Sequence, residues 1–227
     1  QIAEVDVLKK EFVEFYDGMR VFRNEFNKII SKKIESSAAA YEIIDEQLLK
    51  LIDLEAQVVK NNKLEELFEL QISKYSETAD TRRDLKMMKF VWDMKTLIAH
   101  LYDSWKQQLW SDIDTEKLVD QNKEILKSLR KYSAENQVVK GWKVYQAMEE
   151  DIQKMNVILP LIDELHSPAM RDRHWNRLAS MCGVDEVEPA NPKFTFNDMV
   201  KLDIHLQKEL IEDLVSGAAK EIGRAHV

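Results

Sequence analysis

Hydrophobic residues recur every three or four positions along most of the chain. The first run is the cleanest. Val5, Leu8, Phe12, Phe15, Met19, Phe22, Phe26 and Ile29 alternate spacings of three and four over four heptads, with mostly charged residues and Asn between them. This is the seam of a helix that packs on other helices. Phenylalanine is bulky for a two-stranded coiled coil, so a multi-helix bundle suits the seam better. The phase breaks across Ser31–Ala40 and resumes at Tyr41, Ile44, Leu48, Leu51, Leu54 and Val58. Asn61-Asn62 interrupts it weakly before Leu64, Leu67, Phe68 and Ile72. A single helix over residues 1–77 would be ~115 Å long at about 1.5 Å per residue. A bend or hairpin near Ser31–Ala40 fits equally.

A second region begins near Thr81, where Met88, Val91, Met94, Ile98, Leu101, Trp105 and Leu109 mark another stripe. Asp114 or Thr115 suits an N-cap, because a short side-chain oxygen can accept from free backbone N–H groups. The helix it opens carries Leu118, Ile125 and Leu129. Another runs from about Val139, with Tyr145, Met148, Ile152, Met155, Leu159 and Ile162 on one face. Pro160 lies inside this pattern and should kink it, since it lacks an N–H and crowds the preceding turn. Ser167-Pro168 reads as an N-cap followed by proline at the first helical position. Gly183 suits that helix's C-terminus. Residues 184–196 read as a loop, and Asn197 or Asp198 as the cap of a last helix to about Lys220. Trp175 shares a face with Arg171, Leu178, Ala179 and Cys182. It is therefore expected to be buried near Ile162 or Leu165, with His174 at the rim.

The pattern makes the protein all-α: an elongated helical bundle with a long coiled-coil-like N-terminal segment. Composition supports this. Of 227 residues, only five are glycine and four proline, too few for the turns of a sheet protein. The hydrophobic share of 44% is too high for a disordered chain. The net charge is −8, with acids and bases interleaved and no basic stripe, so no nucleic-acid partner is expected. The longest apolar stretch, Val157–Ile162, falls far short of the roughly 20 residues of a membrane span. Cys182 is the single cysteine, which excludes an internal disulfide and fits a reducing compartment. Gln1 in place of Met, with no signal-peptide pattern after it, suggests an internal fragment.

Catalytic signatures are missing. A phosphate-cradling loop needs two glycines five apart followed by Lys and Ser or Thr. Gly18, Gly141, Gly183, Gly217 and Gly223 supply no such pair, no dinucleotide fingerprint and no nucleophile elbow. Of the five histidines, only His166 and His174 are close in sequence. They read better as packed or hydrogen-bonded residues than as metal ligands. Catalytic, cofactor and metal sites are therefore expected to be absent. Trp92, Trp105, Trp110, Trp142 and Trp175 all lie beyond residue 79 and read first as core, second as a docking surface.

These landmarks resemble a family. Val157–Leu165 followed by Ser167–Trp175, an apolar "PLI..L" and then "P.MR.RHW", resembles the linker region of dynein heavy chains. Trp92-Asp93, Trp105, Trp110–Asp114 and the Leu202–Lys220 helix are similar to that family too. The resemblance makes Trp92, Trp105, Trp110, Pro160, Pro168, Arg173, His174 and Trp175 the signature residues. It implies residues 1–78 as a tail-to-linker segment and 79–220 as a linker-like bundle. The linker is a lever lying across a ring of ATPase modules in a microtubule motor, joining it to the tail. ATP and magnesium, the stalk and the microtubule contact would all lie outside this chain. The partners implied are that ring, with intermediate or light chains nearby, in the cytoskeleton and, on the spacing of the tryptophans, the ciliary axoneme. A generic spectrin-like or coiled-coil scaffold is the alternative, against which the lack of self-similarity between the two halves counts. Residues 221–227, Glu-Ile-Gly-Arg-Ala-His-Val, depart from the family. Back-translated they resemble a sequencing-library adapter, so a disordered, non-native tail is expected there.

Overall fold

A computed structural model describes residues 2–225. Among them are eight α-helices: α1 (Ile2–Ser31), α2 (Ser37–Leu67), α3 (Ser76–Lys106), α4 (Thr115–Glu135), α5 (Lys143–Leu165), α6 (Asp172–Cys182), α7 (Phe196–Val200) and α8 (Lys208–Ala225). The protein is all-α. Its helices form two compact units, one of the described residues up to Thr96 with Val138–Gln146, the other of Leu97–Gln137 with the described residues from Ala147 onward.

In the first unit the long N-terminal segment is a hairpin rather than one helix. Helix α1 stops at Ser31, and Ser36 caps α2 by accepting from the Ala39 N–H at 3.1 Å. Asn61-Asn62 does not interrupt α2. Side-chain pairs set the directions of the three helices. Tyr41 of α2 bonds Asp93 of α3 at 2.5 Å and Glu55 pairs with Arg82, so α2 and α3 run antiparallel. Phe15 meets Tyr75 edge-on at 5.5 Å and Arg23 reaches Thr81 at 3.0 Å and Asp84 at 2.6 Å, so α1 runs parallel to α3. Of the eight seam residues Met19 and Phe26 are buried, whereas Val5, Leu8, Phe12, Phe15, Phe22 and Ile29 are half-buried. Helix α2 ends with Glu69 in the left-handed region (φ 57°). The loop beyond is held by buried Glu65, whose carboxylate accepts from the Ser73 N–H and hydroxyl at 2.9 and 2.8 Å.

In the second unit α4 and α5 run antiparallel. Thr115 donates to Asp163 at 2.6 Å, and Asn122 donates to the Ile152 carbonyl at 3.2 Å and to Asn156 at 2.5 Å. Asp114 is the N-cap of α4, accepting from Lys117 N–H at 3.2 Å. All six residues of the α5 stripe, Tyr145 to Ile162, are buried. Helix α5 passes through Pro160 unbroken, with the ring on an exposed position, so the missing donor falls on the wet side.

Three local readings are corrected. Ser167-Pro168 does not start a helix. Ser167 to Met170 form a tight turn, closed by Met170 N–H on the Ser167 carbonyl at 3.2 Å, and α6 begins only at Asp172. Proline suits the second position of such a turn as well as it suits a helix start. The last helix does not run unbroken from Asn197. Thr195 caps the short α7, which ends near Val200; Asp203 turns left-handed at φ 54°, and a 3-10 turn (Ile204–Gln207) leads into α8. The tail is not disordered over 221–225, which continue α8. Ala218, Ala219, Lys220 and Glu221 favour helix, and an exposed Gly223 costs only about 1 kcal/mol against them. His226 and Val227 lie outside the described residues. Gly183, as expected, ends α6 at φ 70°.

Candidate functional site

Two signature residues of the second unit, Trp110 and Trp175, meet in an aromatic junction centred on Trp110. Its ring is buried and stacks on His166 at 3.7 Å and 10°. Trp175 at 6.4 Å and Phe194 at 5.9 Å meet it edge-on. Edge-to-face pairs set the positive ring edge against the negative face, a directional preference that fixes ring orientation. The surrounding backbone is tied as tightly. Trp110 N–H donates to the Phe194 carbonyl and Phe196 N–H to the Gln108 carbonyl, each at 2.8 Å. The two loops therefore join as a short antiparallel bridge between Leu109 and Thr195. His166 closes the junction from the end of α5. Its Nδ1 lies 2.8 Å from the Ile162 carbonyl oxygen and its Nε2 2.8 Å from that of Trp110.

The RHW block sits beside this cluster with its burial the reverse of the sequence expectation. His174 is buried and Trp175 half-buried. The buried arc of α6 runs from His174 through Leu178 to Ala179, and Trp175 falls within it, half-covered because it lines an open cleft. His174 has a local reason to be inside. Its Nδ1 accepts the Arg171 N–H at 2.9 Å, satisfying a donor at the helix start as a Glu does in a capping box. Its Nε2 lies 3.2 Å from Glu221 Oε2, off the hydrogen-bonding direction. Arg173 forms an ion pair with Glu221 on the surface, and its guanidinium holds the Glu221 carboxyl below the usual carboxylate range. Trp175 lines an open cleft with Met170, Asp172, Val187 and Pro189.

The other signature residues lie apart. Trp105 is buried against Tyr102 at 5.0 Å. Trp92 is buried in the first unit among Ile30, Ile34, Met88 and Trp142, with Lys95 over its ring at 5.3 Å. Pro160 and Pro168 are exposed. Sequence reasoning missed Phe194, and it read His166 as packed or hydrogen-bonded, as it is, without naming its partners. The cue for His166 was its place four residues after buried Ile162 at a helix end, where a side chain can cap free carbonyls.

Among the described residues, no group of three or more His, Cys, Asp or Glu is placed to hold a metal ion, and no helix is long and apolar enough to cross a membrane. Burial pushes the Cys182 thiol up, away from the thiolate a nucleophile needs. Rings and carbonyls that lock three helix ends and a loop together define a helical structural module.

Comparison with known proteins gives the module its family. The family described as "Dynein heavy chain, N-terminal region 2" matches residues 78–225. The chain belongs to the dynein heavy chains. It is 27% identical over 227 residues, all of this chain, to dynein axonemal heavy chain 11 of Sus scrofa. It is 28% identical over 97% of its length to the dynein alpha chain of the flagellar outer arm of Chlamydomonas reinhardtii. Against the ciliary dynein beta chain of Tripneustes gratilla it is 24% identical over the full chain. It spans 5% of the length of each of these relatives.

Proposed function

We propose that this chain is the lever segment of a microtubule motor of cilia or flagella, joining the tail of a dynein heavy chain to its ATPase ring. ATP and magnesium act in the ring, outside this segment, and microtubules are reached only through the parent protein. Intermediate or light chains bind nearby. The ciliary setting rests on relatives whose names are axonemal, flagellar and ciliary. The observation that carries the lever reading is the junction at Trp110, which lies wholly within the family match. A lever must transmit force without yielding at its joints. Here the joints are fixed by directional ring contacts and by side chains bonded to carbonyls at helix ends.

The test is Trp175→Ala in the complete heavy chain, a half-buried position where the fold survives. Gliding velocity should fall more than basal ATPase, because the lever is altered and the ring is not. Equal losses of both, or no loss of velocity, would sink the reading. The isolated 227-residue chain should neither bind nor hydrolyse ATP. Stoichiometric nucleotide binding in a calorimeter would contradict the assignment of ATP chemistry to the ring.

A further inference from the structure

We propose that the outer face of α2 is a self-pairing surface, on which a second copy of this chain lays its own α2 antiparallel. Helix α2 is apolar on two sides. Its core side carries the buried residues Ala40, Ile44, Gln47, Leu51 and Glu65. Four further apolar residues, Leu49, Ile52, Ala56 and Val59, follow the same spacing of three and four but are all exposed, Leu49 by 70%, Ile52 by 48% and Val59 by 54%. At about 100° per residue they fall within an arc of roughly 80°, about 140° round the helix from the buried side. Isolated exposed apolar residues are ordinary. A seam at helix-packing register, with no core beneath it, is the pattern of a helix that packs twice.

The ends of this stripe name the occupant. One more step of the register reaches Asp45 before Leu49 and Lys63 after Val59, both exposed; Asp45 also acts on Lys89 of α3, whose own bond goes to Asp93 at 2.9 Å. The stripe is thus symmetric about Leu54, with opposite charges at its two ends. Turned over on a second copy, Leu49 faces Val59, Ile52 faces Ala56 and Asp45 faces Lys63, each pair occurring twice as a two-fold interface requires. A parallel pair would set Asp45 on Asp45 and Lys63 on Lys63, so charge selects the antiparallel arrangement. The flanks are already satisfied within the helix: Lys50 pairs with Glu46 at 3.3 Å, and Gln57 bonds Asp53 at 2.7 Å. The apolar part is only about 15 Å long. That is less than the roughly 1,200 Å² of a stable complex calls for, so the pairing is weak, with a Kd of about 10–100 µM.

Sedimentation equilibrium of the 227-residue chain, from about 1 µM to a few hundred µM around that Kd, should show a reversible monomer–dimer equilibrium. Ile52→Glu should abolish it. Asp45→Lys and Lys63→Asp should each weaken it about tenfold or more, because each turns two attractions into two repulsions. The double variant should return to within about twofold of the parent, as restored charge pairs require. Far-UV circular dichroism should be the same for all four, since every substituted position is exposed. A chain monomeric at all concentrations, a dimer that survives Ile52→Glu, or a double variant no tighter than the singles overturns the proposal. So does a monomeric chain that binds a different helical polypeptide through Ile52, which would assign the face to that partner.

Discussion

Replacing Trp110 by alanine removes the ring that three aromatic neighbours share, and its cost follows from the structure. A tryptophan buries about 150–250 Å², and Trp110 is almost fully covered. At roughly 25 cal/mol per Å² the transfer contribution is ~5 kcal/mol as an upper bound. The stack on His166 and the two edge-on contacts each add about 0.5–1.5 kcal/mol beyond area. The backbone bonds to Phe194 and His166 survive, because alanine keeps the N–H and carbonyl that make them. These contributions together exceed what such deletions cost, because the area figure is an upper bound and neighbours relax into the space, so the expected loss is about 4–5 kcal/mol, the upper end for deletion of a large buried aromatic. Trp175→Ala should cost only about 1–2 kcal/mol, since that ring is half-buried. A fully buried ring would lose ~3–5 kcal/mol. Chemical denaturation followed by far-UV circular dichroism measures both, and the double variant gives their coupling, expected near 1 kcal/mol. A loss under about 1 kcal/mol for Trp110→Ala would mean that the junction carries no stability. A larger loss for Trp175→Ala than for Trp110→Ala would show that the cluster is centred on the wrong ring.

Burial, with Asp151 nearby, pushes the Tyr102 phenol well up, while an unfolded tyrosine ionises near pH 10. Its share of stability is therefore complete below about pH 10 and lost as pH rises further, because the unfolded chain releases the proton first. Tyr102→Phe should flatten the alkaline fall in the denaturation midpoint and cost about 1 kcal/mol at neutral pH for the lost bond to Asn122; an unchanged alkaline slope would count against this. Gly183→Ala should destabilise by about 1 kcal/mol, since φ of 70° strains any side chain, although nothing stands within 4 Å of the added methyl. A neutral result by thermal melting would show that the helix end relaxes. Deleting residues 222–227 should cost under about 1 kcal/mol by chemical denaturation, because 223–225 are exposed. A larger loss would show that the end of α8 is anchored.

What the sequence exposed of this fold was its periodic part. The α5 stripe from Tyr145 to Ile162 was legible residue by residue, because one face meets one core and a 3.6-residue period records that directly. Local signals with a single physical meaning were legible too, such as Gly183 at a helix end or Asp114 before α4. Signals with two meanings were not. Ser-Pro starts a helix or makes a turn with the same dihedral, and the choice at Ser167-Pro168 rests on Ala169 and Met170 being buried, a tertiary fact. The site failed for a related reason. Helical spacing says which residues share a face with Trp175, but not that this face opens onto a cleft where Trp175 stands. Hydrophobicity ranks Trp above His. In α6 a hydrogen bond outweighs that ranking, because His174 at the third helical position can accept the Arg171 N–H and a tryptophan, which only donates, cannot. The same logic bears on α2. Its seam at Tyr41–Val58 was found because it matches the core, while Leu49, Ile52, Ala56 and Val59 were passed over because a helix was granted only one inner face. A periodic pattern states how many faces a helix buries, and α2 has one more than this chain fills.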